Sequence, residues 1–150
     1  MSAFVLSLDI ARQVQDVYSL LADIENTPTW YEAVKEVRKL TPGSVARGSV
    51  YRLVRHLPQG VVENEVEVSE LVLNQRVTIQ SRSGPTPFRY RYSLEPAGSG
   101  TRLTLAGEIT GEGLKGAAAL LAPLAGQLFK KGMASNLKAL KAHLEGRDLP

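Results

Sequence analysis

The 150-residue chain has no cysteine. That removes disulfides, thiolate metal ligands and a cysteine nucleophile together, and it fits a reducing compartment, so a cytoplasmic location is the expectation. Histidine is nearly absent as well: His56 and His143 are the only two. They are not at ligand spacing, and no metal is expected to bind. No apolar run is long enough to span a bilayer. The opening MSAFVLSLDIARQVQD reaches polar residues too early, with no basic region ahead of it, to read as a secretory signal. Charge of one sign is also lacking. A net +3 with both signs interspersed does not imply a nucleic acid partner. Aromatic residues make up only 6% of the chain, with a single tryptophan, Trp30.

What is present is ordinary for a folded domain: 43% hydrophobic and 22% charged residues. The length suits one domain over residues 1–150, and no repeat or low-complexity linker divides it. AFVLSLDI reads as a first strand. ARQVQDVYSLLADI has Val14, Val17, Tyr18 and Leu21 at helical spacing, with Asp9 as its expected cap. NTPTWYEAV reads as a second short helix capped by Thr27, with Pro28 in its first turn. From about residue 35 the pattern turns to period two, interrupted at LPQG, LNQ, SGPTP and PAGSGT. Short turns make antiparallel neighbours, so six strands should form a meander. Residues 114–146 read as helical, a short piece before Pro123 and a long one after it. Leu124, Leu128, Met133, Leu137, Leu140 and Leu144 form the apolar stripe of the long piece, which Gly146 stops.

Strand parity predicts register. Centring the hairpins on 58/59, 73/74 and 98/99 sets Tyr51 opposite Val66, Leu53 opposite Asn64, Val68 opposite Ile79 and Tyr92 opposite Leu105. It also sets Glu65 opposite Arg82. One face then collects Tyr51, Leu53, Arg55, Asn64, Ser81, Phe88, Tyr90 and Tyr92. The other collects Glu63, Glu65 and Glu67 with Arg52, Arg82, Arg89, Arg91 and Arg102. The result is a sheet with one covered face and one wet face, and the long helix is the obvious cover.

LDIARQVQDVYSLLADIENTPTWYEAVKEVRKL, then GSVYRL, the GSGTRLTL hairpin and the closing LKALKAHLE together resemble the START-like, or SRPBCC, superfamily. The resemblance is to its polyketide cyclase/dehydrase and lipid-transport branch. It covers nearly the whole chain and rests on Asp23, Trp30, Gly48-Ser49, Gly100-Thr101 and Leu140-Lys141. It implies an α+β helix-grip fold: a curved antiparallel sheet of about seven strands around a long C-terminal helix, with two short helices after the first strand. It also implies a cavity between sheet and helix for a lipid, quinone or polyketide-like molecule.

Three functions follow, in this order. The first is binding or transport of a hydrophobic or amphipathic small molecule, with no cofactor. Trp30, Tyr51, Leu53, Phe88, Tyr90, Tyr92, Leu128 and Met133 would wall the cavity, and Arg55, Asn64 and Ser81 would fix a polar head. The second is a cyclase or dehydratase using tyrosine and arginine as acid and electrostatic stabiliser, in which Asn64 helps to orient a ketone. The third is a protein-interaction module with a filled cavity, working through the outer arginines or the region of Leu120–Leu128. A Ser-His-Asp triad is not expected, since parity sends His56 to the wet face and His143 lies near the end of the last helix. Neither stable membrane insertion nor an oligomeric state is implied.

Overall fold

The computed structural model describes residues 2–57, 60–84, 87–109 and 125–146. The expected short helix before Pro123, Leu124 of the apolar stripe and the hairpin tip at Pro58-Gln59 lie outside the described residues. The first strand, β1 (Ser2–Ile10), is followed by helix α1 (Val14–Ala22) and a 3-10 helix (Ile24–Thr29). The meander then runs β2 (Val34–Lys39), β3 (Val50–Leu57), β4 (Gly60–Val72), β5 (Arg76–Ser83), β6 (Phe88–Ala97) and β7 (Gly100–Ile109), and helix α2 (Ala125–Leu144) is the last described element. The sheet has seven strands in the order β1-β7-β6-β5-β4-β3-β2. All pairings are antiparallel, and β1 returns to pair with the last strand. This is the helix-grip arrangement.

Register follows parity closely because each hairpin has one face buried. Tyr51 opposes Val66 and Leu53 opposes Asn64. Val68 opposes Ile79, and Tyr92 opposes Leu105. One expected pair is corrected. A bulge between Glu65 and Val66 sets Glu65 opposite Ser83 rather than Arg82. A second bulge, between Val68 and Glu70, adds to the bend of β4.

Two local expectations are also corrected. Asp9 does not cap α1. Pairing with β7 keeps the chain extended through Ile10, so the Asp9 carboxylate instead accepts from Arg102 Nε at 3.1 Å, and α1 starts after Gln13 with no side-chain cap. The second helix starts earlier than Thr27 and is of 3-10 type. The Thr27 hydroxyl donates to the Ile24 carbonyl at 2.6 Å, and Pro28, which has no N–H, cannot donate to that carbonyl as an α-helix would require. The turn ends at Trp30, where the N–H groups of Trp30 and Tyr31 both donate to the Thr27 carbonyl.

Helix α2 lies against β1 and β7 through a buried row of Met133, Leu137, Leu140 and Leu144. Gly146 follows its end at φ +72, a conformation that favours glycine. The C-terminal end of α2 is clasped to the β1–α1 connection. Arg12 Nη1 donates to the Leu144 carbonyl at 2.6 Å, the Ala11 N–H donates to Glu145 Oε2 at 2.8 Å, and Lys141 Nζ donates to the Asp9 carbonyl. The Leu140-Lys141 step therefore supplies one core residue and one clasp residue.

Gly107, opposite Tyr90, lies under the ring of Phe4: a Cβ there would stand 2.5 Å from Phe4 Cζ. Gly107→Ala should lower stability by about 1–3 kcal/mol through overpacking. The check is a shift in the urea midpoint at unchanged slope. Phe4→Leu in the same chain should recover part of the loss.

Candidate functional site

Alternation along β3 turns Tyr51, Leu53 and Arg55 to the covered face, and all three are buried. Arg55 is flanked by Val34 of β2 and Val62 of β4 and is only 1% exposed. Its Nε donates to Asn64 Oδ1 at 2.8 Å, and Asn64 Nδ2 in turn donates to the Ser83 carbonyl at 3.1 Å. The guanidinium lies 5.3 Å from the centre of the Phe88 ring, which stacks on Tyr90 at 4.8 Å.

The chain between the 3-10 helix and β2 brings a second group over this point. Trp30 packs on Tyr31 at 5.7 Å and meets Tyr92 edge-on at 6.1 Å. The phenols of Tyr31 and Tyr90 are close enough to Arg55, and to each other, to shift one another's protonation. Helix α2 pins this segment: Asn136 Oδ1 accepts from the Glu32 N–H at 3.1 Å, while Asn136 Nδ2 contacts Met133 Sδ.

Among the expected site residues, Trp30, Arg55, Asn64, Phe88, Tyr90 and Tyr92 come together in one cluster. Tyr51 does not join it. It lies four residues along β3, about 13 Å away at strand rise, with Lys39 Nζ 5.6 Å from its ring. Leu53 lies between Tyr51 and Arg55 on the same face. The Ser81 hydroxyl is engaged in the β5–β6 ladder, accepting from the Phe88 N–H at 2.9 Å. Met133 is buried on α2, and the Leu128 side chain lies outside the described residues. Sequence reading missed Tyr31 and Asn136. Tyr31 adjoins Trp30, which was signal enough. Asn136 stands three residues after Met133 and four before Leu140, so a polar residue on an apolar stripe was the clue.

Burial dominates the electrostatics. It lowers the proton affinity of Arg55, an effect that Tyr31 and Tyr90 oppose. A guanidinium nevertheless stays charged at neutral pH. Burial raises Tyr31, against the pull of Arg55, and raises Tyr90 and Tyr92 well above the ordinary phenol value. All three therefore remain protonated at neutral pH. Trp30 Nε1 is shielded from water with no hydrogen-bond partner, and Tyr90 Oη is shielded too, with the Tyr31 hydroxyl as its nearby partner. Buried polar groups of this kind are uncommon in folded proteins. The cluster can donate hydrogen bonds to an acceptor oxygen, with a fixed cation beside it. Among the described residues, no three or more His, Cys, Asp or Glu side chains are grouped to hold a metal ion.

On the outer face, ion pairing centres on Glu70. Arg76 and Arg91 approach Glu70 at 2.8 and 3.3 Å, and Thr78 donates to Glu70, which lowers that carboxyl's pKa. Arg82 and Arg89 are exposed on the same face, and His56 and His143 face solvent. No described helix is long and apolar enough to cross a membrane.

The chain belongs to the polyketide cyclase/dehydrase and lipid transport family, whose model matches residues 1–145. A comparison with curated proteins found no match. Among solved structures, it is similar to the TTHA0849 protein of Thermus thermophilus, with 20% identity, TM-score 0.80, and 97% and 98% of the two chains covered. A START superfamily protein of Mycobacterium smegmatis matches at 19% identity and TM-score 0.80, covering 96% of this chain and 97% of that one. The Zhui aromatase/cyclase of a Streptomyces species matches at 13% identity and TM-score 0.82, covering 96% and 93%. These likenesses establish the START-like fold.

The three raised phenols have a consequence for stability. As pH climbs past about 10, the ordinary phenol value, the unfolded chain loses these protons while the folded chain holds them. Their contribution is therefore complete below that pH and is lost above it. The urea midpoint should fall as pH rises beyond about 10, with phenolate absorbance appearing together with unfolding. Titration of Tyr31, Tyr90 and Tyr92 in the folded protein at the ordinary phenol value would contradict this.

Proposed function

We propose that residues 1–150 form a single ligand-binding domain for a hydrophobic or amphipathic small molecule, such as a lipid, quinone or polyketide-like compound. The molecule lies between the sheet and α2 with an oxygen acceptor directed at Arg55, Tyr31 and Tyr90. The observation that carries this reading is the 1% exposed guanidinium of Arg55, held by Asn64 and Phe88 and accompanied by protonated phenols in an otherwise apolar interior. Removing a cation from water costs several kcal/mol even after relaxation. A polar pole of this kind in an apolar setting is the form that small-molecule sites take, with few polar groups fixing orientation and apolar walls supplying affinity. Apolar burial would drive binding at about 25 cal/mol per Å² before association costs. Trp30 Nε1 and Tyr90 Oη supply donors for the ligand.

Native mass spectrometry of the freshly purified protein, followed by organic extraction, tests the reading. A specific amphipathic molecule carried through purification supports it and names the class. Tyr90→Phe should leave folding intact and weaken binding of that molecule about fivefold, the value of one neutral hydrogen bond. Undiminished affinity in a Trp30 fluorescence titration of Tyr90→Phe would remove Tyr90 from the site.

A second reading rests on the same phenols. Tyr31 and Tyr90 keep their protons beside a fixed cation, an arrangement that polarises a ketone and stabilises the enolate formed from it. One of the structural neighbours is an aromatase/cyclase. On this reading the chain turns over a poly-β-ketone thioester, and Arg55→Ala abolishes turnover. Absence of turnover by the unaltered chain would leave binding as its activity.

A further inference from the structure

Asn64 is fully buried, and its amide works in two directions. Its oxygen accepts from Arg55 Nε at 2.8 Å, and its nitrogen donates to the Ser83 carbonyl, at the end of β5, at 3.1 Å. Gly84 follows, with φ +100, and its backbone presses against the same amide. A Cβ at Gly84 would stand 2.5 Å from both Asn64 Nδ2 and the Glu63 carbonyl oxygen. An L-residue is therefore disfavoured at position 84 twice, once by conformation and once by the side chain it would push aside. The bulge that sets Glu65 opposite Ser83 brings the end of β5 to this place.

We infer that Asn64 is a positioning residue for Arg55, and that the end of β5, through Ser83 and Gly84, fixes the guanidinium at the polar pole. The functional part of this inference rests on the reading of that pole as the site of the ligand's acceptor oxygen. Substitutions at position 84, which does not itself supply a polar group to the pole, then tune the affinity for acceptor-bearing ligands. Apolar ligands remain unaffected.

The test has a readout that needs no ligand. Arg55 Nε–H, hydrogen-bonded and kept from water, should give a slowly exchanging signal in heteronuclear NMR, assigned by its loss in Arg55→Met. In Asn64→Leu, which keeps the branched outline and removes the bonds to Arg55 and Ser83, its exchange should accelerate at least about tenfold, as for loss of a hydrogen bond to a charged group. Asn64→Asp keeps the acceptor for Arg55 but gives up the bond to the Ser83 carbonyl, so its exchange should fall between that of the unaltered chain and that of Asn64→Leu. Gly84→Ala should accelerate exchange in the same direction, and it carries the test if Asn64→Leu fails to fold. An unchanged signal in folded Asn64→Leu, or in Gly84→Ala if that variant carries the test, overturns the positioning role.

A binding arm separates this inference from the reading beneath it. The probes are anilinonaphthalene sulfonate, which bears acceptor oxygens, and phenylnaphthylamine, which has none. Affinity for the sulfonate should fall about tenfold in both Arg55→Met and Asn64→Leu, with the amine unmoved and Asn64→Asp intermediate. A loss in Arg55→Met with none in Asn64→Leu overturns the positioning inference alone. No loss in Arg55→Met, or no binding of the sulfonate by the unaltered chain, counts against the ligand reading, while the exchange measurement still decides whether Asn64 holds Arg55.

Discussion

A guanidinium taken out of water must find acceptors and polarisable faces inside the protein, and the burial of Arg55 makes that demand of every element around it. Its position on β3 turns it to the covered face beside Val34 and Val62, where neither neighbour can solvate it. Asn64 answers for one N–H, Phe88 offers its ring, and the phenols of Tyr31 and Tyr90 lie close by. The β3–β4 register is what makes the first of these possible, because Leu53 opposite Asn64 brings the amide within reach of Arg55, two residues further along β3. The aromatic cover depends on elements far away in sequence. Asn136 of α2 holds the Glu32 N–H and so sets the Trp30–Tyr31 segment, while the clasp of Arg12, Lys141 and Glu145 seats α2 on the sheet.

The chemistry of the interior follows from the same constraint. Burial that costs Arg55 its hydration also keeps the neighbouring phenols protonated, so cation and phenols present donors together. On the proposed reading, the cluster discriminates by the oxygen acceptor a ligand carries, since an apolar molecule without one would leave buried donors unmatched. Membership of the polyketide cyclase/dehydrase and lipid transport family agrees with an amphipathic ligand. The fold alone does not choose among the activities it supports. The choice lies in how these few side chains are held.

Much of this was legible in the sequence, for identifiable reasons. Where one face of a hairpin is buried, a slip of one residue would invert it, so alternation specified the pairing of Tyr51 with Val66 and of Tyr92 with Leu105. The same parity turned Arg55 and Asn64 inward. Bulges escaped, because one extra residue leaves no mark on a period-two pattern, and Glu65 consequently met Ser83. The cap of α1 was misplaced because a capping aspartate and a strand-end aspartate look alike until β7 pairs with it. The 3-10 turn was read too late in the chain because Pro28 resembles a helix start, whereas here it lies inside the turn. Contacts between distant segments were hardest to see. Glu32 and Asn136 are separated by 104 residues, and only packing brings them together.

The central claim is that the buried cluster around Arg55 receives the polar end of a ligand. It is tested most directly by following the Trp30 Nε1–H and Arg55 Nε–H signals by NMR while anilinonaphthalene sulfonate is added. The account predicts that both signals shift together along one binding curve, with Arg82 and Arg89 on the outer face unmoved. Shifts confined to the outer arginines, or a bound probe that leaves Trp30 and Arg55 unchanged, would contradict it.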